Sequence, residues 1–560
     1  MGHVGDTTHA GKLIDRWTLL TWLGVGAFMF WGAGHYTVFD DEANSCPLYV
    51  LSMGEMFRAL WDGIDPDPPL YYVLQNLWVR VFGVGPLGLR SLSILFFLAG
   101  LVAMRAAAAA WFDRQTGLVT LLICALHPAH LFFGFAGRWY SLMFLMVGLL
   151  LWLSSRLSDR GFPRRIVAWA LCAAGVCYTN YLGPVVVGMV WFVSMARDRH
   201  RPGGRKRWAL AALGTALLYV IWFVPFWEQV ASFDRPEAAW LSYVATAART
   251  LVALLTGNLA SIGAWWVWVP MSVFSVAFLA LLITRWSSVW PIAVMVLGCF
   301  SVGVASRTMI DKYIMTFSGP ACLLVAALLI RAEAPTTGKA PASLGRRLSA
   351  FWPRLMIVGL AFGWFGCGVN LVSQRQWSSL RWLDPFEEVT RSLYEQNWHR
   401  TYPDAVASHP SARYYFARLR ANDRLLSPLQ KTIAPMTIPN LRTDRTDWRL
   451  AHEAQESIDD TSPYYAVTPA AVTPRLVSHA AEEAVEVLPV IITLETPGFV
   501  SLPEWDALNA VLLEQYEPAG EPVCRMEDDA AAWKDRLDPR FRHPRCRIVL
   551  RYWRLRSYED

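Results

Sequence analysis

The chain has 560 residues, 54% of them hydrophobic and only 17% charged, with a net charge of +6 and 28 Trp. Soluble chains carry about a quarter charged residues, and the shortfall here is uneven: 45 Lys, Arg, Asp and Glu fall in residues 1–372 and 51 in the last 188. That split excludes a uniform soluble protein, a disordered chain and a fibrous repeat. It reads as an α-helical polytopic membrane domain over 1–372 followed by a soluble α/β domain over 373–560.

Eleven stretches have the length and apolarity of a bilayer-spanning helix: 17–36, 88–110, 117–134, 138–155, 164–180, 181–197, 207–227, 264–284, 288–306, 313–330 and 352–372. The first lacks a cleavage site and reads as an uncleaved helix. Leu70–Gly83 (LYYVLQNLWVRVFG) is too short to span and contains Arg80, so it reads as an interfacial helix, and Arg249–Leu259 is a weaker segment of the same kind.

Cations set the orientation. Arg156, Arg160, Arg164 and Arg165, then the run Arg197 to Arg207, then Arg331 to Arg354 all fall on the side of the N-terminus, which is therefore expected in the cytoplasm. Their place in short loops between apolar segments also argues against nucleic acid as a partner. An odd number of spans sends residues 373–560 to the outer side, which for a bacterial inner-membrane protein is the periplasm.

The tail alternates between helical patterns (Pro385–Asn397, Ser411–Arg420, Glu504–Glu514) and strand patterns (Asp404–Ser408, Tyr464–Thr468, Val490–Leu494, Arg547–Trp553). Arg413-Tyr414-Tyr415 reads as packing. Seven cysteines lie in or beside apolar stretches and read as small buried residues. Cys524 and Cys546, alone in the tail, could pair in an oxidising compartment. P-loop, GxSxG and HExxH motifs are absent.

The first outer loop holds seven of the 17 acids of the membrane part: Asp40, Asp41, Glu42, Glu55, Asp62, Asp65 and Asp67. Such carboxylates are either solvated loop charge or a general base held at the membrane surface with acids nearby for a metal or a hydroxyl. Arg138, in GRWYSL, falls at the outer end of two spans, where an Arg either snorkels or serves a site. Arg307 and Lys312 flank Asp311 in a later outer loop. His127 and His130 (HPAH) stand three apart, which suits a metal or simply a polar helix end. Trp139-Tyr140 and Trp265, Trp266 and Trp268 read as interface aromatics.

FDDEANS after the first helix, DPDPPLYYVLQNLWVRVFG with GLRSLSILF, GRWYSLMFLMVGLLLWL, and DKYIMTFSGPACLLVAALL together resemble the GT-C superfamily. These are polytopic glycosyltransferases that use polyprenyl-phosphate-linked sugars, and the nearest types are bacterial mannosyl-, galacturonosyl- and aminoarabinosyltransferases. The resemblance covers about residues 15–372. It implies Asp41 as catalytic base and Glu42 as supporting acid, with Asp40 an extra acid that shifts the register by one. It implies Asp67, Arg138, Tyr140, Arg307, Lys312 and Tyr313 near the substrates. The family has His or Lys before the Pro-Pro pair, where this chain has Asp67. A carboxylate there repels a lipid phosphate unless a divalent metal (Mg or Mn, on Asp41 and Asp67) lies between, or other residues grip the phosphate.

The implied function is an inverting transfer of a hexosyl or pentosyl unit from a polyprenyl-phosphate donor to a lipid, glycan or protein hydroxyl at the outer face. Two other classes compete: a transporter or flippase of lipid-linked sugars, and a non-catalytic membrane assembly protein.

Overall fold

The computed structural model describes residues 16–36, 38, 40–61, 65, 67–157, 162–201, 203–232, 240–257, 265–306, 311–331 and 344–372, with strand segments 406–407, 487–494, 516–518, 523–525 and 547–555. The chain forms two compact units, Met1–His35 with Met53–Ser378, and Tyr36–Ser52 with Ser379–Asp560. The segment just after the first helix therefore groups with the C-terminal residues.

The first unit is helical. Its helices are α1 (Arg16–His35), α3 (Met53–Trp61), α4 (Leu70–Phe82), α5 (Pro86–Trp111), α6 (Arg114–Leu126), α7 (Pro128–Phe133), α8 (Tyr140–Arg156) and α9 (Phe162–Cys177). They continue with α10 (Gly183–Asp198), α11 (Gly204–Tyr219), α12 (Phe223–Ser232), α13 (Trp240–Thr256), α14 (Trp265–Ser306), α15 (Ser318–Arg331) and α16 (Leu344–Val372). The helix α2 (Asp40–Val50) belongs to the second unit. Among the described residues, four helical segments are long and apolar enough to cross a membrane: Pro86–Trp111, Gly204–Gln229, Trp265–Ala305 and Phe351–Val369.

The helix α5 is the centre. Two thirds of its apolar window (67%) is buried, against 22% for Gly204–Gln229 and 28% for α14. The apolar side chains those outer helices expose, such as Ile221, Trp227, Ile283 and Phe365, suit contact with lipid. The helix α8 packs along α5 because small residues let the backbones approach. A Cβ on Gly148 would lie 3.0 Å from that of Ala103, and one on Gly100 would lie 2.5 Å from the Phe144 ring.

Three expected spans need revision. Segment 117–134 breaks at His127-Pro128, where Pro128 opens α7 and the His127 side chain caps it by accepting from Ala129 N–H at 3.2 Å. Segments 264–284 and 288–306 form one helix of 42 residues, roughly 63 Å long against a hydrocarbon thickness of about 30 Å. The polar stretch between them looked like a loop. In the structure Thr284 Oγ1 donates to Ala280 O (2.8 Å) and Ser288 Oγ to Arg285 O (2.8 Å), so the hydroxyls fold back on the helix. With these two segments joined, counting apolar segments no longer decides on which side the tail lies.

The end of α13 is fixed by borrowed donors. His127 Nε2 donates to Leu254 O at 2.8 Å and Trp364 Nε1 to Leu255 O at 2.9 Å, satisfying carbonyls left open by the helix end. Gly257 then turns the chain at φ +60°, and a Cβ there would lie 2.5 Å from Ala129 N. Gly257→Ala is expected to destabilise the fold by about 1–3 kcal/mol from the left-handed backbone alone, read as a lower thermal midpoint in detergent.

Described elements of the C-terminal part are five strands: β1 (Val406–Ala407), β2 (Val487–Leu494), β3 (Tyr516–Pro518), β4 (Val523–Arg525) and β5 (Arg547–Leu555). The order is β1-β2-β5-β3, with β4 also on β5; β1 and β2 are parallel and the other pairs antiparallel. Strands thus lie where Asp404–Ser408, Val490–Leu494 and Arg547–Trp553 read as strands. The expected tail helices, Tyr464–Thr468, Arg413-Tyr414-Tyr415 and Cys546 lie outside the described residues.

Candidate functional site

One end of the helical unit carries a buried charge cluster. The short stretch before α4 folds back on itself, Asp67 N–H donating to Asp65 O at 2.8 Å, so both carboxylates point into the unit. The turn before α8 does the same, with Arg138 N–H on Ala136 O at 2.7 Å. The two turns meet through side chains. Arg138 Nη1 donates to Asp65 Oδ2 at 2.8 Å and to Tyr72 OH at 3.1 Å, and Nη2 donates to Asp67 Oδ2 at 2.6 Å. Asp67 is held further by Trp139 Nε1 on Oδ2 (2.9 Å) and Asn180 Nδ2 on Oδ1 (3.1 Å). Asp65, Asp67 and Arg138 are 9%, 4% and 5% exposed, so the charges are desolvated, their mutual attraction is stronger than at a surface, and removing one of them would leave an uncompensated buried charge.

The surroundings are equally fixed. Leu70 N–H donates to Tyr178 O (3.0 Å), tying the start of α4 to the end of α9. Ser93 Oγ, on α5, donates to Arg138 O at 3.3 Å and bonds Tyr71 OH at 2.9 Å. Tyr313 sits in the 3-10 turn Asp311–Thr316, its ring centre 5.7 Å from that of Trp139. The backbone of Lys312 is thereby brought beside the cluster. Tyr140 packs edge-on against Trp139 at 4.7 Å. Arg90, fully buried on α5, donates to Ala33 O at 2.9 Å and so fixes the last turn of α1, from which the acidic loop departs.

The structure therefore brings together Asp67, Arg138 and Tyr313, with Tyr140 in support. Asp40, Asp41 and Glu42 form the first turn of α2, in the other unit, where a helix N-terminus favours negative charge. Glu42 is fully buried; the side chains of Asp40, Asp41 and Lys312, and all of Arg307, lie outside the described residues. Asp65, Tyr72 and Asn180 were not singled out by sequence.

The geometry answers the question posed by an acid before the Pro-Pro pair. The compensating cation is Arg138. With both carboxylates ionised the trio carries −1, and the guanidinium is already occupied. Asp67 is not built as a metal ligand: three N–H donors cover its two oxygens, and a guanidinium nitrogen stands 2.6 Å away. The buried histidines also bond neutral partners. His130 Nδ1 donates to Cys124 O (2.8 Å) and Nε2 accepts from Ser318 Oγ (2.7 Å), a polar helix end rather than a pair of ligands. Donor atoms of His130, Cys124 and Cys322 do lie within 4.8 Å of one another, a grouping that no sequence spacing suggested.

Trp139→Phe is expected to keep the ring packing and remove one charge-assisted hydrogen bond from Asp67. It should cost about 1.5–3 kcal/mol of stability, measured by thermal unfolding in detergent.

The fold is similar to solved structures. ArnT from Cupriavidus metallidurans in the apo state superposes with a TM-score of 0.54 at 12% identity, covering 95% of this chain and 97% of that one. The same protein bound to undecaprenyl phosphate gives 0.53 at 12% identity, with 95% and 98% covered. The chain is thus similar in fold to these structures over 95% of its length. No protein-family model and no curated protein matches the sequence.

Proposed function

We propose that the chain is an inverting glycosyltransferase of the membrane, moving a sugar from a polyprenyl-phosphate donor to an acceptor hydroxyl at the outer face. The observation that carries it is the buried Asp65–Asp67–Arg138 cluster with the Lys312-Tyr313 turn against it, inside a fold shared along its length with ArnT, a protein that binds undecaprenyl phosphate.

Two observations support the outer placement. The cluster lies at the start of α8, whereas Arg156 at the end of α8 and Arg197 at the end of α10 belong to the cationic, cytoplasmic end. Tyr36–Ser52, which follows the first span, shares a compact unit with residues 379–560, and this supports an outer tail independently of the number of crossings.

The roles follow from charge. Asp41 takes the proton of the acceptor hydroxyl as its oxygen attacks the anomeric carbon opposite the phosphate. The bond from that carbon to the phosphate oxygen breaks, the polyprenyl phosphate leaves with the electron pair, and the centre inverts. The leaving group needs little protonation, so one base suffices. Its developing charge falls to Lys312 and Arg307, because Arg138 is spent on the two aspartates and acts as a positioning residue.

Incubating the purified chain with polyprenyl-phosphate sugars and following release of free polyprenyl phosphate tests this reading. Release that requires an acceptor supports it. A folded sample inert toward hexosyl and pentosyl donors alike would overturn it.

A further inference from the structure

The opposite end of the bundle holds a second polar cleft that the proposed reaction does not use. Along α5, Trp111 lies 18 residues beyond Ser93, roughly 27 Å from the charge cluster. Here Trp111, Ser154 and Ser155 at the end of α8, Ser194, Arg197 and Asp198 at the end of α10, and Arg201 enclose a cavity of about 30 Å³. A water needs about 10–15 Å³, so the enclosed part takes about two oxygen atoms.

Most polar groups around it are spent. Ser154 Oγ donates to Leu150 O (2.7 Å) and accepts from Trp169 Nε1 (2.9 Å), while Ser155 Oγ donates to Trp152 O (2.6 Å). Trp111 Nε1 donates to Leu151 O at 2.8 Å. Asp198 receives Trp208 Nε1 on Oδ2 at 3.3 Å and stands 3.4 Å from Arg201 Nε through Oδ1. One group is different: Ser194 Oγ is buried, on a residue 3% exposed, and has no hydrogen-bond partner. A buried hydroxyl without an acceptor is costly, so this one is built for an acceptor from outside the chain.

The cavity walls specify that acceptor. Arg197 and Arg201 against Asp198 leave a net charge of +1. The Arg197 guanidinium is steadied over the Trp111 ring, 4.8 Å from its centre. Two oxygens facing a hydroxyl donor and two guanidinium groups describe a phosphate. The cleft lies where α5, α8 and α10 end together.

We propose that this cleft binds the phosphate of an anionic phospholipid in the cytoplasmic leaflet, with Ser194 and Arg197 as its principal contacts. Basic pockets between membrane helices on that side recognise such headgroups. The site is separate from sugar transfer, and its test reads binding.

The full chain is placed in nanodiscs of phosphatidylcholine alone or mixed with phosphatidylglycerol, and lipid retention is followed by native mass spectrometry beside the thermal midpoint. Wild type should be stabilised by phosphatidylglycerol, and Ser194→Ala and Arg197→Ala should each weaken its retention about tenfold, the loss of one charge-assisted bond. Ser194→Ala carries a sign test. Without anionic lipid it removes an unpartnered hydroxyl and should leave the midpoint unchanged or raised; with phosphatidylglycerol it should lower the midpoint relative to wild type. A midpoint depressed equally in both lipids would mean a purely structural serine and overturn the proposal. So would equal retention by all three proteins, or full stabilisation by inorganic phosphate in detergent, which would assign the cleft to the free ion.

Discussion

Asp41→Asn is expected to abolish sugar transfer while leaving donor binding intact. The amide keeps the shape of the carboxylate but cannot take a proton. A positioned general base contributes about 10²–10⁴ in rate, so turnover should fall by roughly three orders of magnitude. Binding of the donor, governed by the lipid chain and the phosphate contacts, should change little, and the loss should appear in kcat rather than KM. Asp40→Asn separates the two possible registers. It should retain most of the activity, because the proposed base is Asp41 and Asp40 is the extra acid. Glu42→Gln should act mainly through stability, since that carboxylate is fully buried. If Asp40→Asn were dead and Asp41→Asn active, the base would move by one residue. If both were fully active, the transferase reading would fall and a transporter or assembly role would take its place. Release of polyprenyl phosphate and donor binding, measured on the same samples, make the comparison.

How far the sequence carried differs by level. Apolar runs located α1, α5 and α8 to α10 within a few residues, because burial in lipid leaves an uninterrupted signature. They failed where a local bond decides. Pro128 and the His127 cap divide one run into two helices, and the hydroxyls of Thr284 and Ser288 fuse two runs into one. The short helix α3, amphipathic rather than apolar, lay in what read only as an acidic loop. At the site, Asp67 and Arg138 were visible as anomalies, an acid where the GT-C pattern has a cation and an Arg in a cation-poor loop. Their partnership was not, because 71 residues separate them and only the fold closes that distance to 2.6 Å. Asn180 gave no signal at all. An uncharged amide after an apolar span reads as a helix end, and it is that too, accepting from Leu182 N–H at 2.9 Å while donating to Asp67.

That partnership sets the second large effect. Arg138→Ala leaves Asp65 and Asp67 buried together without their cation, and removing one member of such a buried network costs about 3–5 kcal/mol. The variant should show a sharply lower thermal midpoint and no turnover. Lysine should rescue poorly. One ammonium cannot reproduce two guanidinium nitrogens that reach Asp65 Oδ2 at 2.8 Å and Asp67 Oδ2 at 2.6 Å while also bonding Tyr72. The cluster's own chemistry supplies the control. In the Arg138→Ala background, Asp65→Asn with Asp67→Asn removes the uncompensated charge, and a stability defect caused by that charge should be largely repaired. Activity should separate the two roles open to Arg138. If it only positions the turn before α4, the repaired triple variant should regain part of its turnover, with the deficit in kcat. If its guanidinium instead carried the leaving phosphate, stability would return while turnover stayed at background and donor binding weakened. Thermal unfolding, donor binding and polyprenyl phosphate release on the single and triple variants decide between them, and a guanidinium whose two terminal nitrogens are held by Asp65, Asp67 and Tyr72 favours the first outcome.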